Sequence, residues 1–265
     1  MSLYTYDGNV AVNTDSIYNG KKISLLGDSI TTYVGYIPSG QSSEYNGTNY
    51  NGLKVTDTWW MKLINALEMT LLVNNSWSGT CVSTARDSVK GVNSNAMVRS
   101  ELLGDDPDVI IFYMGINDFC FEVDLGSYDG STELPPEGID FSSSYAIALN
   151  KMMAKYKTAE IWCATLPQCE RNGSTGAPEI NDNDVALADF NKRIQQLAKT
   201  FGAKILDFAQ CGLTYQNMSI YMGDWVSSTE KGLHPNIKGM SVLANQAIRQ
   251  LDPYCRTRYQ IEEIV

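Results

Sequence analysis

The chain contains one histidine in 265 residues. A metal site built on two imidazoles is therefore excluded, including the paired-histidine helix of zinc hydrolases. The six cysteines (Cys81, Cys120, Cys163, Cys169, Cys211 and Cys255) include no C-x-x-C pair. That argues against a thiolate zinc site or a redox dithiol, and their scatter fits buried free thiols. No run approaches the ~18 apolar residues of a membrane span. No Lys/Arg cluster appears, and 20 basic against 30 acidic residues leave a net charge of −10. A field of that sign repels a phosphate backbone, so nucleic acid is not an expected partner. There is no phosphate-cradling G-x-x-x-x-G-K loop, no G-x-G-x-x-G and no G-x-S-x-G elbow. Residues Met1 to Asn19 lack the basic-then-apolar pattern of a signal peptide. Compartment and oligomeric state stay open.

What is present describes a globular chain, with 43% hydrophobic and 19% charged residues. Short apolar runs at Ile23–Leu26, Thr70–Val73, Val109–Met114, Ile161–Ala164 and Ile205–Phe208 read as strands without polar alternation. Helical spacing separates them. Trp59, Trp60, Leu63, Ile64 and Leu67 form one stripe. Tyr145 to Tyr156 forms a second, behind a serine run suited to capping. Leu187 to Phe201 forms a third, with Gly202 as its stop, and Met240 to Leu251 a fourth, with Asn236 placed to cap it. Buried strands alternating with helices predict a three-layer α/β/α fold around a central parallel five-stranded sheet, flavodoxin-like in architecture. One domain absorbs residues 1–265, with 1–20 as an N-terminal extension. The two long irregular stretches, 33–55 and 119–140, are of a size that is more often functional than accidental.

In an open parallel sheet, ligands bind beyond the carboxyl ends of the strands. Those ends carry Gly27-Asp28-Ser29-Ile30, Asn75-Ser76-Trp77-Ser78-Gly79 and Gly115-Ile116-Asn117-Asp118, and Gly232-Leu233-His234-Pro235-Asn236 follows strand five. Taken singly, Ser29 reads as a helix cap, Gly79 as a turn residue and His234 as a cap of the last helix. Asp28 and Asp118 read as turn and loop supports. Together the set supplies a nucleophile, a base and oxyanion donors once each, which is what acyl transfer needs. It calls for no cofactor and no metal.

With these four blocks in order, the sequence resembles the SGNH, or GDSL-type, serine esterases and acylhydrolases, from Ile23 to about Leu251. The resemblance implies Ser29 as nucleophile and His234 as general base. It implies an oxyanion hole from the Ser29 and Gly79 backbone N–H groups and the Asn117 side-chain amide. The sequence departs from the family where an aspartate normally stands three residues before the histidine, because that position is Lys231. Glu230 could reach the imidazole instead. Alternatively Asp224 could serve, with 225–231 as an extruded loop, or the site could be a Ser–His dyad.

The substrate signal lies in residues 33–60, where Tyr33, Tyr36, Tyr45, Tyr50, Trp59 and Trp60 stand among Asn, Gly, Ser and Thr. Aromatic faces beside amides suit sugar rings, and Trp77 could wall an acyl pocket. The expectation is a small-molecule or glycan ester with a short acyl group. The alternatives are a lysophospholipase or thioesterase on the same machinery, and a non-catalytic carbohydrate binder on a degenerate hydrolase fold.

Overall fold

The computed structural model describes residues 16–134, 137–169, 180–225 and 232–253. Five strands, β1 (Lys22–Gly27), β2 (Thr70–Ser76), β3 (Val109–Tyr113), β4 (Glu160–Ala164) and β5 (Lys204–Leu206), form one sheet in the order β2-β1-β3-β4-β5. Every pair is parallel. The helices are α1 (Trp59–Ala66), α2 (Asp87–Lys90), α3 (Ala96–Arg99), α4 (Ile116–Cys120), α5 (Phe141–Lys155), α6 (Leu187–Phe201), α7 (Met218–Tyr221) and α8 (Ile237–Leu251). α1 packs on α8, while α5 packs on α3 and α6, which gives the three-layer α/β/α arrangement.

Successive side chains of β3 point to opposite faces, and both faces are buried. Phe112 stacks on Tyr145 of α5 at 4.3 Å. Its neighbour Tyr113 meets Trp59 of α1 edge-on at 5.9 Å, with Phe208 beside it. This is why the strand reads as an unbroken apolar run. The chain leaves β1 for β2 on one side and returns to β3 on the other, so strand order reverses between β1 and β3. The ends of those two strands flank the expected site.

Several boundaries differ from the sequence reading for identifiable reasons. β2 continues to Ser76 because Asn74 and Asn75 turn their amides onto backbone carbonyls of Thr31 (2.9 Å) and Leu102 (3.1 Å). β5 stops at Leu206, since the Asp207 N–H donates to Gln250 Oε1 at 2.7 Å instead of continuing the ladder. α5 begins at Phe141 with Asp140 as its cap, accepting from Ser143 N–H at 2.7 Å. The serine run is thus the first helical turn and not the cap. α4 takes Phe119 and Cys120 out of the long stretch 119–140. α8 begins as its sequence reads, with Asn236 accepting from Lys238 and Gly239 N–H. From the N-terminal extension, Ser16 Oγ and Ile17 N–H donate to Asp252 Oδ2 just past α8. Of the described cysteines, Cys81, Cys120, Cys163 and Cys169 are buried and Cys211 is half-buried. Cys255 lies outside the described residues.

Candidate active site

β1 ends at Gly27, and the chain turns at once into a single 3-10 turn over Ser29–Thr31. Gly27 has no room for a side chain: a Cβ there would lie 2.6 Å from Ser76 Oγ and 2.7 Å from Thr31 Cβ. Asp28 caps the turn, its Oδ1 accepting from Ile30 N–H at 3.1 Å. That leaves the Ser29 hydroxyl free of capping work, and it sits 2.9 Å from His234 Nε2. His234 Nδ1 lies 2.9 Å from Asp224 Oδ2. The other oxygen of Asp224 accepts from the Leu233 and His234 N–H groups, each at 3.0 Å.

Asp224 reaches the imidazole across ten positions because the chain is zipped on both sides of it. Met222 and Pro235 form an antiparallel bridge. Gly223 N–H donates to His234 C=O at 2.7 Å, and Asn236 N–H to Tyr221 C=O at 2.8 Å. Of the orienting groups weighed from the sequence, Asp224 is the one at Nδ1. Glu230 and Lys231 lie outside the described residues. The ionised Asp224 fixes the imidazole hydrogen on Nδ1 and leaves the Nε2 lone pair facing the serine hydroxyl.

The oxyanion candidates stand just past the ends of β1, β2 and β3. Asn117, in α4, donates one amide hydrogen to Thr80 C=O at 2.9 Å and keeps its second in reserve. Gly79 adopts φ +73°, which favours glycine, and Lys90 Cε would lie 2.8 Å from a Cβ there. The N–H groups of Ser29 and Gly79 donate to no protein acceptor among the described residues. Asp118 holds the glycine loop against α4, accepting from Val82 (2.7 Å) and Ser83 (3.0 Å) N–H groups.

Arg99, which the sequence reading did not single out, is completely buried beneath this loop. Its guanidinium donates to the carbonyls of Gly27 (3.0 Å), Asn75 (2.7 Å) and Ser94 (Nε, 2.7 Å), to Thr80 Oγ1 (2.8 Å) and to Met114 Sδ (3.2 Å). It stacks on Trp77, whose Nε1–H donates to Asn75 Oδ1, so that indole belongs to this packed layer. One side chain thus ties together the ends of β1, β2 and β3. Its only announcement in the sequence is an arginine in an otherwise apolar stretch. Glu44, also unmarked, and Tyr50 of the aromatic segment stand beside the imidazole: Glu44 Oε1 is 3.8 Å from Nδ1, and the Tyr50 ring centroid is 6.4 Å from that of His234.

Burial and charge set the titration of the site. Burial works against a charged imidazole. The Asp224 hydrogen bond and the negative charges of Glu44, Asp224 and Asp28 outweigh it and hold His234 above the ordinary histidine value. Burial also opposes ionisation of Asp224, but its bonds from His234 and Leu233 prevail and keep it below the usual carboxylate range. Burial pushes Asp28 up to about 7 and Asp118 up to about 6, and brings Arg99 down to about 9.

The aromatic segment is largely structural. Trp59, Trp60 and Tyr45 are completely buried, and Tyr45 donates its hydroxyl hydrogen to Pro235 C=O at 3.1 Å. Tyr33 is half-buried against the core, and Tyr36, packed edge-on to it at 6.0 Å, is exposed. Among the described residues no cluster of three or more His, Cys, Asp or Glu could hold a metal ion. None of their helices is long and apolar enough to cross a membrane.

The parallel α/β/α sheet carries these residues at its switch point. The chain belongs to the GDSL-like lipase/acylhydrolase family, whose model matches residues 21–184. Among solved structures it is similar to a candidate GDSL-like lipase from Bacteroides ovatus, at 24% identity and TM-score 0.63, covering 86% of this chain and 96% of that one. A protein from Lactobacillus plantarum gives 20% identity and TM-score 0.66, with 88% and 97% covered. The salicylyl-acyltransferase SsfX3 of a tetracycline biosynthetic pathway gives 16% identity and TM-score 0.54, with 89% and 55% covered. At these identities the likeness is one of fold. No curated protein matches.

Proposed function

We propose that the protein hydrolyses carboxylic esters through an acyl-enzyme on Ser29. The reading is carried by the continuous line of contacts from Asp224 to His234 to Ser29, 2.9 Å at each step. His234 Nε2 takes the hydroxyl proton as Ser29 Oγ attacks the ester carbonyl, and Asp224 stabilises the imidazolium that results. The carbonyl oxygen, now negative, is met by the Ser29 and Gly79 N–H groups and the spare Asn117 amide hydrogen. Collapse expels the alcohol, which takes the proton back from Nε2. Water then enters, is deprotonated by the same nitrogen and releases the acid.

The acyl group is short and the alcohol polar. What supports this is the polar character of the site, with Glu44 and Asp224 beside His234 and Asn117 bonded to the Thr80 carbonyl, together with Tyr36 exposed on the loop that follows Ser29. A fluorophosphonate probe with the adduct mapped by mass spectrometry tests the mechanism. Ser29 is labelled in the wild type, and His234→Ala slows labelling by several orders of magnitude. An adduct elsewhere, or no adduct, sinks the reading. Within it, a p-nitrophenyl ester series that ran faster on long acyl chains than on acetate would remove the short-acyl assignment.

A further inference from the structure

Loop 33–55 does more than cover the nucleophile, because it delivers a second carboxylate to the imidazole. Glu44 is placed by both of its ends. Its backbone N–H donates to Thr32 Oγ1 at 2.8 Å, and that hydroxyl in turn donates to Ser29 C=O at 2.8 Å. Its carbonyl accepts from Asn49 Nδ2, and its Oε1 accepts from the Tyr50 hydroxyl. Tyr50 is itself fixed, its ring 5.1 Å from buried Tyr45 and so close to Gly223 that a Cβ there would collide with it. The result is a three-quarters buried carboxylate 3.8 Å from His234 Nδ1, while Ser29 meets the other ring nitrogen.

We propose that Glu44 is a positioning residue for His234, a second acid that shares with Asp224 the stabilisation of the imidazolium formed when Ser29 attacks. The inference rests on the esterase reading above. Nδ1 carries one hydrogen, and the shorter distance gives it to Asp224. Glu44 therefore acts through charge, and Tyr50 supplies the hydrogen bond that keeps the carboxylate aimed at the ring. The ionisable groups that face the imidazole among the described residues are Asp224 from the segment before it, Asp28 from the end of β1, and Glu44 and Tyr50 from the loop. Three of these are carboxylates, and Glu44 is the one the sequence reading did not name. Opposite charge at this range favours the protonated ring. Removing Glu44 therefore makes His234 easier to deprotonate.

The single histidine makes the test direct. In carbon-proton NMR spectra its ring signals titrate alone. Glu44→Gln keeps the size and the acceptor for Tyr50 but removes the charge. Its His234 midpoint falls by about half a pH unit or more, and the acid limb of kcat/KM moves to lower pH with it. Tyr50→Phe, which frees Glu44 to swing away, moves both in the same direction by less. If Glu44→Gln leaves midpoint and limb where the wild type has them, the inference fails while fluorophosphonate labelling of Ser29 still stands. If Ser29 is not labelled at all, the esterase reading fails first and this one with it.

Discussion

The two halves of the site are built differently. The cradle half, comprising Ser29, Gly79 and Asn117, is fastened to strand ends by completely buried polar groups: Arg99 beneath, Asp118 across, Asp28 at the turn. The histidine half hangs on loops, half-buried, and is held by a two-residue bridge and by Asp224, Glu44 and Tyr50. In the first, folding and chemistry share the same hydrogen bonds. In the second they are separable. Changes beneath the cradle should damage stability and turnover together, whereas changes around the imidazole should move turnover and its pH dependence with little effect on melting.

Arg99→Ala is the severest way to press on that difference. It strands the carbonyls of Gly27, Asn75 and Ser94 in a buried layer and empties the volume of the side chain. Unsatisfied buried acceptors at this density cost about 3–5 kcal/mol. Urea unfolding should register that loss; a variant within 1 kcal/mol of wild type (roughly the cost of an ordinary substitution) would mean that the cradle is not anchored as described. Asn117→Ala comes next. A lost oxyanion donor costs about 3–4 kcal/mol of transition-state stabilisation, so kcat drops on the order of a hundredfold or more while KM holds. A rise in KM with kcat unchanged would move Asn117 out of the oxyanion hole.

The third test is Asp28, where the sign of the effect is informative. Burial raises its pKa from the ordinary aspartate range to about 7 in the fold. The folded state therefore holds its proton more tightly than the unfolded one. The stability this gives is present in full below pH ~4 and is lost as the pH climbs to ~7. Asp28→Asn is neutral throughout and should lack that decline. The gap in melting temperature between variant and wild type should swing in the variant's favour between these limits. A constant gap would mean that Asp28 stays ionised in the fold.

Much of this was legible before any coordinates, and the reasons are local. The five strands announced themselves because both faces of the sheet are covered, and Asn236 was readable as a cap because capping is a matter of adjacent residues. Ser29, Gly79, Asn117 and His234 stand where short contiguous blocks met the ends of strands. What stayed hidden depends on contacts between distant segments. Arg99 looks like a surface cation until the loop closes over it. Glu44 has no pattern around it, and Asp224 could be named only as one of three alternatives because it is ten residues from its partner where three is the family's habit. The serine run before α5 misled because Asp140, one residue upstream of the helix, makes the better cap. The tryptophans at 59 and 60 read equally as sugar platform and as core, and packing against β3 and α8 decided for the core.

The bridge between Met222 and Pro235 has a consequence for how such proteins diverge. It clamps the chain just outside the acid and the imidazole, so whatever is spliced in between need not disturb either. The stretch can grow, shrink or carry a pendant module while the proton path keeps its length. Searches keyed to a fixed acid–histidine interval would pass over every such relative.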